Sequence, residues 1–143
     1  MENNKVWFIT GASKGLGLEL AKKLLAKGYK VAATSRSAAS LVKVLGNVSE
    51  NFLPLEMDLV EEGSVKKEIE ATVSHFKTID VLVNNAGYGL LGALEELTDE
   101  ESRKNYEVNV FGLLNVVRNT MPYMRANNSG HIFNISSVGG YYG

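Results

Sequence analysis

The stretch Thr10-Gly11-Ala12-Ser13-Lys14-Gly15-Leu16-Gly17 decides how the rest of the chain is read. An apolar run, Val6-Trp7-Phe8-Ile9, precedes it and favours a strand. The following residues, Leu18 to Lys27, carry helical spacing, with Leu16, Leu20 and Leu24 recurring on one face and Gly28 placed for a C-cap. The glycines therefore occupy a strand–turn–helix. Such a turn presents free N–H groups and the positive end of a helix to whatever lies above the strand, and a pyrophosphate suits that position. Gly11 permits a tight turn, Gly15 lets a ligand approach the backbone, and Gly17 lets helix pack against strand.

Outward from this turn, strand and helix alternate. A second strand spans Lys30 to Ser35, and a short helix runs from Ala38 to Leu45, ending at Gly46-Asn47. A third strand, Phe52 to Met57, contains Pro54, which lacks an N–H and suits a sheet edge. Asp58 closes it. A helix from Glu62 to Phe76 carries Val65, Ile69, Val73 and Phe76 on one face. The fourth strand, Ile79 to Val83, runs into Asn84-Asn85-Ala86-Gly87. After a loop from Tyr88 to Leu97, Thr98-Asp99-Glu100-Glu101 has the pattern of a capping box. Helix continues to Ala126, with Tyr106, Val110, Leu113, Val117, Met121 and Met124 at helical spacing and Pro122 expected to kink its last part. A turn at 127–130 leads into a fifth strand, His131 to Ser136. This alternation predicts an α/β fold: a doubly wound parallel sheet in three layers. Ligands of such sheets bind at the carboxyl ends of the strands.

Composition narrows the function classes. The 143 residues are 45% hydrophobic, enough for one domain with a real core. A net charge of −1 argues against a nucleic-acid footprint. Two separated histidines and no cysteine supply neither a metal constellation nor disulfides. The lack of cysteine fits a cytoplasmic protein. The chain is expected to enter its first strand without a leader, and no apolar run approaches the length of a membrane span.

Five segments together resemble the short-chain dehydrogenase/reductase family in its compact form. They are Thr10 to Gly17, Asp58-Leu59, Asn84-Asn85-Ala86-Gly87, Asn109-Val110-Phe111-Gly112 and Asn134-Ile135-Ser136-Ser137. They follow the family's order and spacing and cover essentially the whole chain. The resemblance implies a Rossmann-like domain over residues 1–143 that binds a nicotinamide dinucleotide and handles a small carbonyl or alcohol substrate. It places the cofactor against Gly11, Ser13, Lys14, Gly15, Leu16 and Gly17, with Asp58 on the adenine beside Leu59. Asn85, Ala86 and Gly87 would support the sheet and border the ribose. Asn109 would interrupt its helix and help hold a water in a proton relay, and Ser137 would bond the substrate oxygen. Residues 85–95 are similar to those of hydroxysteroid- and retinol-type members.

Cofactor choice has a physical basis. Sites of this type that prefer NAD place an acid after the second strand, for the ribose 2′-hydroxyl. Thr34-Ser35-Arg36-Ser37 stands there instead. A guanidinium pairs with a 2′-phosphate, and Lys14 adds a second positive charge, so NADP(H) is expected. The family's proton donor is a tyrosine with a lysine four residues on, expected near position 150, past Gly143. Tyr141 and Tyr142 lie too close to Ser137 for that role and are expected to line the pocket mouth. The domain is thus expected to be incomplete at its C-terminal side, inactive alone, with a fifth strand left as an exposed apolar edge and a dimer or tetramer when complete. The other reading is a module or partner subunit that holds NADP(H) without chemistry.

Overall fold

The computed structural model describes residues 4–140. The chain runs β1 (Val6–Ile9), α1 (Gly15–Ala26), β2 (Lys30–Ser35), α2 (Ala38–Leu45), β3 (Phe52–Glu56), α3 (Glu62–Phe76) and β4 (Val81–Asn84). Then come α4 (Asp99–Tyr106), a π-helical turn over Glu107–Gly112, α5 (Leu113–Ala126), β5 (His131–Asn134) and a single 3-10 turn, Val138–Gly140. The expected pocket-mouth residues Tyr141 and Tyr142 lie outside the described residues.

All five strands are parallel, in the order β3-β2-β1-β4-β5. The chain builds outward from β1 to β3 and then crosses back to β4 and β5, so the order reverses beside β1. Two apolar layers confirm the doubly wound architecture. Phe8, Leu82, Ile69 and Val116 belong to the layer under α3 and α5. Ile9, Val31, Ala21 and Leu41 belong to the layer under α1 and α2. Adjacent residues of β1 point to opposite faces, as the pleat requires, which is why its sequence is a continuous apolar run.

Local signals hold at several boundaries. Gly28 takes a φ of +78° at the end of α1; its N–H reaches the Leu25 carbonyl and the Tyr29 N–H reaches that of Leu24. This is the paired hydrogen bonding of a Schellman motif. Pro54 sits on β3, an edge strand. At Thr98 the capping box is complete: its hydroxyl accepts from the Glu101 N–H at 3.1 Å, and its own N–H donates to the Glu101 carboxylate at 2.9 Å. The Thr98 amide, and secondarily its hydroxyl, hold the Glu101 carboxyl below its ordinary pKa. A group depressed in the folded state stabilises it above the unfolded pKa and ceases to do so as pH falls through the folded one. The start of α4 is therefore expected to fray on acidification below the ordinary glutamate range, visible as loss of helical amide shifts across residues 99–106.

Other boundaries differ. Strand β3 ends at Glu56 instead of Met57, β4 begins at Val81 instead of Ile79, and β5 stops at Asn134 instead of Ser136. Leu16 is 62% exposed; Gly17, Ala21 and Leu24 form the buried face of α1. On α3, Thr72 is buried and Val73 only partly so. The apolar residues at helical spacing along α4 and α5 divide between core and surface. Gly112, Val116, Thr120 and Met124 are buried, while Tyr106 and Val110 are exposed and Leu113, Val117 and Met121 only half-buried. The small residues are needed for close approach: a Cβ on Gly112 would sit 2.8 Å from that of Leu59. The helix runs on through Pro122 to Ala126 without a break.

Candidate functional site

The site grows from the turn after β1. The Thr10 N–H bonds the Val83 carbonyl of β4 at 3.0 Å, and the Ala12 N–H bonds the Thr34 carbonyl of β2 at 2.9 Å. The turn is thus fixed to both neighbouring strands where the strand order reverses. Gly11 has a φ of +67°, and a Cβ there would lie 2.8 Å from the Ala86 Cα, so a side chain is excluded both by conformation and by space. Gly15 also has positive φ, +57°, but no atom within 4 Å of its notional Cβ. Its constraint comes from the turn, and the space above it is open to a ligand.

Helix α1 starts without a side-chain cap and without an acid in its first turn. Among the described residues no side chain competes for its leading N–H groups, so an anion can take them. Lys14 is exposed at the N-cap position and Ser13 is half-buried beside it. Leu16 projects from the same turn into solvent.

Asn85 locks the second segment to the first. Its amide donates to the carbonyls of Thr10 and Gly11, at 3.1 and 3.0 Å. Gly17 makes room for this contact, since a Cβ there would be 2.5 Å from the Asn85 Nδ2. The buried Thr10 hydroxyl accepts from the N–H groups of both Asn85 and Ala86, each at 3.0 Å. Gly87 lies against Asn109, with room for no side chain between them. Asn109 falls within the π turn, an irregularity that often marks functional positions. Its side chain clamps the loop after β4, accepting from the Tyr88 N–H at 3.0 Å and donating to the Tyr88 carbonyl at 2.7 Å.

The remaining expected residues stand apart along the same carboxyl edge. Arg36, after β2, is exposed, and among the described residues no ion pair or hydrogen bond engages its guanidinium. Asp58, after β3, accepts from the Val60 N–H at 3.0 Å through Oδ1, so it caps its own turn while staying exposed. Leu59 is packed against the core, and its carbonyl accepts from Asn115. Ser137, after β5, is exposed; its Oγ accepts from the Gly139 N–H at 3.1 Å, leaving the hydroxyl proton to be donated elsewhere. In sheet order the edge therefore presents Asp58, Arg36, the glycine turn, Asn85 to Gly87, and Ser137. Four strand spacings of ~4.8 Å give this row a length of roughly 19 Å. Among the described residues no cluster of His, Cys, Asp or Glu could hold a metal ion, and no helix is long and apolar enough to cross a membrane.

Two residues of this arrangement had no role in the sequence reading. For Thr10 the signal in the sequence is its position directly between a strand and a glycine. Asn105 donates to the Tyr88 carbonyl at 2.9 Å and accepts from Asn109 at 3.3 Å. Its four-residue spacing from Asn109, on one helix face, was the signal there.

Comparison with known proteins accords with this geometry. An oxidoreductase of Botryotinia fuckeliana, "Oxidoreductase BOA17", is 36% identical over 140 residues, covering 97% of this chain and 51% of the relative. A "Probable NADP-dependent dehydrogenase" of Haemophilus influenzae is 36% identical over 137 residues, covering 94% and 54%. The structure of a 3-ketoacyl-(acyl-carrier-protein) reductase from Brucella melitensis complexed with NADH superposes with a TM-score of 0.89 at 34% identity, covering 94% of this chain and 58% of that one. The chain thus spans about half the length of the curated relatives it matches. The family profile described as short chain dehydrogenase matches residues 5–143, and with the parallel sheet and its glycine turn this establishes that the chain belongs to the short-chain dehydrogenase family.

Proposed function

We propose that residues 1–143 form an NADP(H)-binding domain and that the complete protein transfers a hydride between NADP(H) and a carbonyl or secondary alcohol. The observation that carries the cofactor reading is the uncapped start of α1 behind two left-handed glycines, with Arg36, unengaged among the described residues, just after the next strand. The residues fit the group: the α1 N–H groups and the open space over Gly15 take the pyrophosphate, and Ser13, Lys14 and Leu16 border it. Arg36 takes the 2′-phosphate, Asp58 and Leu59 flank the adenine, and Asn85, Ala86 and Gly87 flank the ribose. When bound, the nicotinamide supplies or accepts the hydride.

The chain's own part is alignment. Ser137 donates its free hydroxyl proton to the substrate oxygen and fixes its distance from the cofactor. The Asn109 side chain is held by Tyr88 and Asn105, with both Nδ2 hydrogens used and a second Oδ1 lone pair left for a water. The family's tyrosine–lysine pair has no counterpart among residues 1–143. We place the protein in the cytoplasm, acting on a small molecule and not on nucleic acid or membrane. We also assign it a homo-oligomeric state, formed through the exposed apolar side chains Tyr106, Val110, Phe111 and Leu114.

The NADP-dependent relative supports the cofactor reading, and the NADH complex of the Brucella reductase makes the 2′-phosphate the point to test. Arg36→Asp is expected to lower the ratio of NADPH to NADH affinity ten- to a hundredfold, the worth of a charge-assisted contact of about 1.5–3 kcal/mol. Fluorescence titration with each cofactor measures it. An unchanged ratio would reject NADP(H).

A further inference from the structure

We propose that Glu56 is a specificity-determining residue, a resident carboxylate that weakens binding of the 2′-phosphate and so moderates the preference for NADP(H); the inference rests on the cofactor reading above. β2 is followed at once by a cation, Arg36, and β3 ends in an acid, Glu56. The register brings the two together: Glu56 is the cross-strand partner of Ser35, the residue before Arg36. Partners in a parallel pair lie about 4.8 Å apart and project from the same face. The Glu56 side chain then reaches past Ser35 and accepts from the Ala38 N–H at 3.3 Å, at the first residue of α2.

The neighbouring hydrogen-bonding groups are already arranged. The Ser37 N–H bonds the Ser35 Oγ at 3.1 Å, and Ser35 and Ser40 hydroxyls bond the Ser37 carbonyl. No Ser37 side-chain cap engages the helix. Glu56 is thus the group that answers the leading amide of α2, within two residues of Arg36. Yet it forms no ion pair with Arg36 among the described residues. The guanidinium stays available, and the carboxylate is held on the Ala38 N–H two residues away in sequence.

A phosphate held by Arg36 would carry close to two negative charges and be repelled by the carboxylate anchored two residues on, at the Ala38 N–H. In a solvated setting the repulsion amounts to a factor of about three to ten in affinity. A ligand ending in the 2′-hydroxyl meets no such charge and is unaffected. An acid in this position therefore narrows the gap between the two cofactors without removing the cation that sets its sign.

The test uses two probes, 2′,5′-ADP and 5′-AMP, titrated calorimetrically into the full-length protein and its Glu56→Gln and Glu56→Asp variants at low ionic strength. Glutamine keeps an acceptor for the Ala38 N–H, so folding is retained, and a thermal melt checks it. Glu56→Gln is expected to tighten 2′,5′-ADP three- to tenfold and leave 5′-AMP unchanged. Glu56→Asp, which keeps the charge, should leave the ratio within twofold of the wild type. The gain should fade in about 1 M salt, where the screening length is near 3 Å. A wild type that prefers 2′,5′-ADP while Glu56→Gln leaves the ratio unchanged, or weakens both probes, overturns the role of Glu56 alone. A wild type that binds both probes equally, with Arg36→Asp no different, overturns the cofactor reading and this inference with it.

Discussion

Gly17→Ala is expected to destabilise the protein by about 2–4 kcal/mol and to abolish dinucleotide binding, although the position is helical. In an exposed helix the same change stabilises by up to about 1 kcal/mol. Here the added methyl would lie 2.5 Å from the Asn85 Nδ2 and 2.6 Å from the Gly11 carbonyl oxygen. Overpacking of this kind costs ~1–3 kcal/mol, and expelling Asn85 breaks its two bonds to the glycine turn at about 1 kcal/mol each. The helix cannot withdraw without lifting its N-terminus from the proposed pyrophosphate position. A thermal melt read by circular dichroism should show Tm lower by roughly 10 °C. A variant that melts with the wild type would mean that α1 slides freely on the sheet, contrary to the packing described.

The second large effect is expected at Thr10. Thr10→Val preserves shape and volume but removes the oxygen that receives the N–H groups of Asn85 and Ala86. Thr10 is 1% exposed, so water does not replace it. Each stranded donor costs ~1–3 kcal/mol, and about 3 kcal/mol in total is expected from chemical denaturation. Thr10→Ser retains the oxygen and should stay within about 1 kcal/mol of the wild type. Amide exchange should accelerate at Asn85 and Ala86 in the valine variant and not in the serine variant. Equal protection in the two would show that the hydroxyl does not hold the loop.

These two positions also mark where sequence reading succeeds and where it stops. The glycine stretch, the five strands, the bounds of α3, the capping box at Thr98 and the edge position of Pro54 all rest on local chemistry and pattern, and the fold followed from them. The face of α5 did not. Its buried face mixes apolar residues (Val116, Met124) with small and polar ones, so that Gly112 meets Leu59 and Asn115 reaches the Leu59 carbonyl. Hydrophobic spacing alone does not say which of these residues turn inward. The hydroxyl of Thr10 and the amide of Asn105 bond partners 75 and 17 residues away, and no local pattern encodes such pairs. Glu56 is of the same kind: its meaning depends on the register of β3 on β2.

The two margins of the sheet are not equivalent. On β3, Met57 turns its N–H inward to Ser35, so residues 52, 54 and 56 face outward. Of these, Phe52 exchanges its polar groups with Ser49 and Pro54 has no N–H to offer. On β5, His131 and Ile135 donate inward to Asp80 and Asn84, which leaves the backbone of Ile132 and Asn134 turned outward between exposed apolar side chains such as Phe133. One margin is blunt and the other adhesive. Within the described sheet a further strand can therefore be added only beside β5, so any extension of the sheet is directed to that one side.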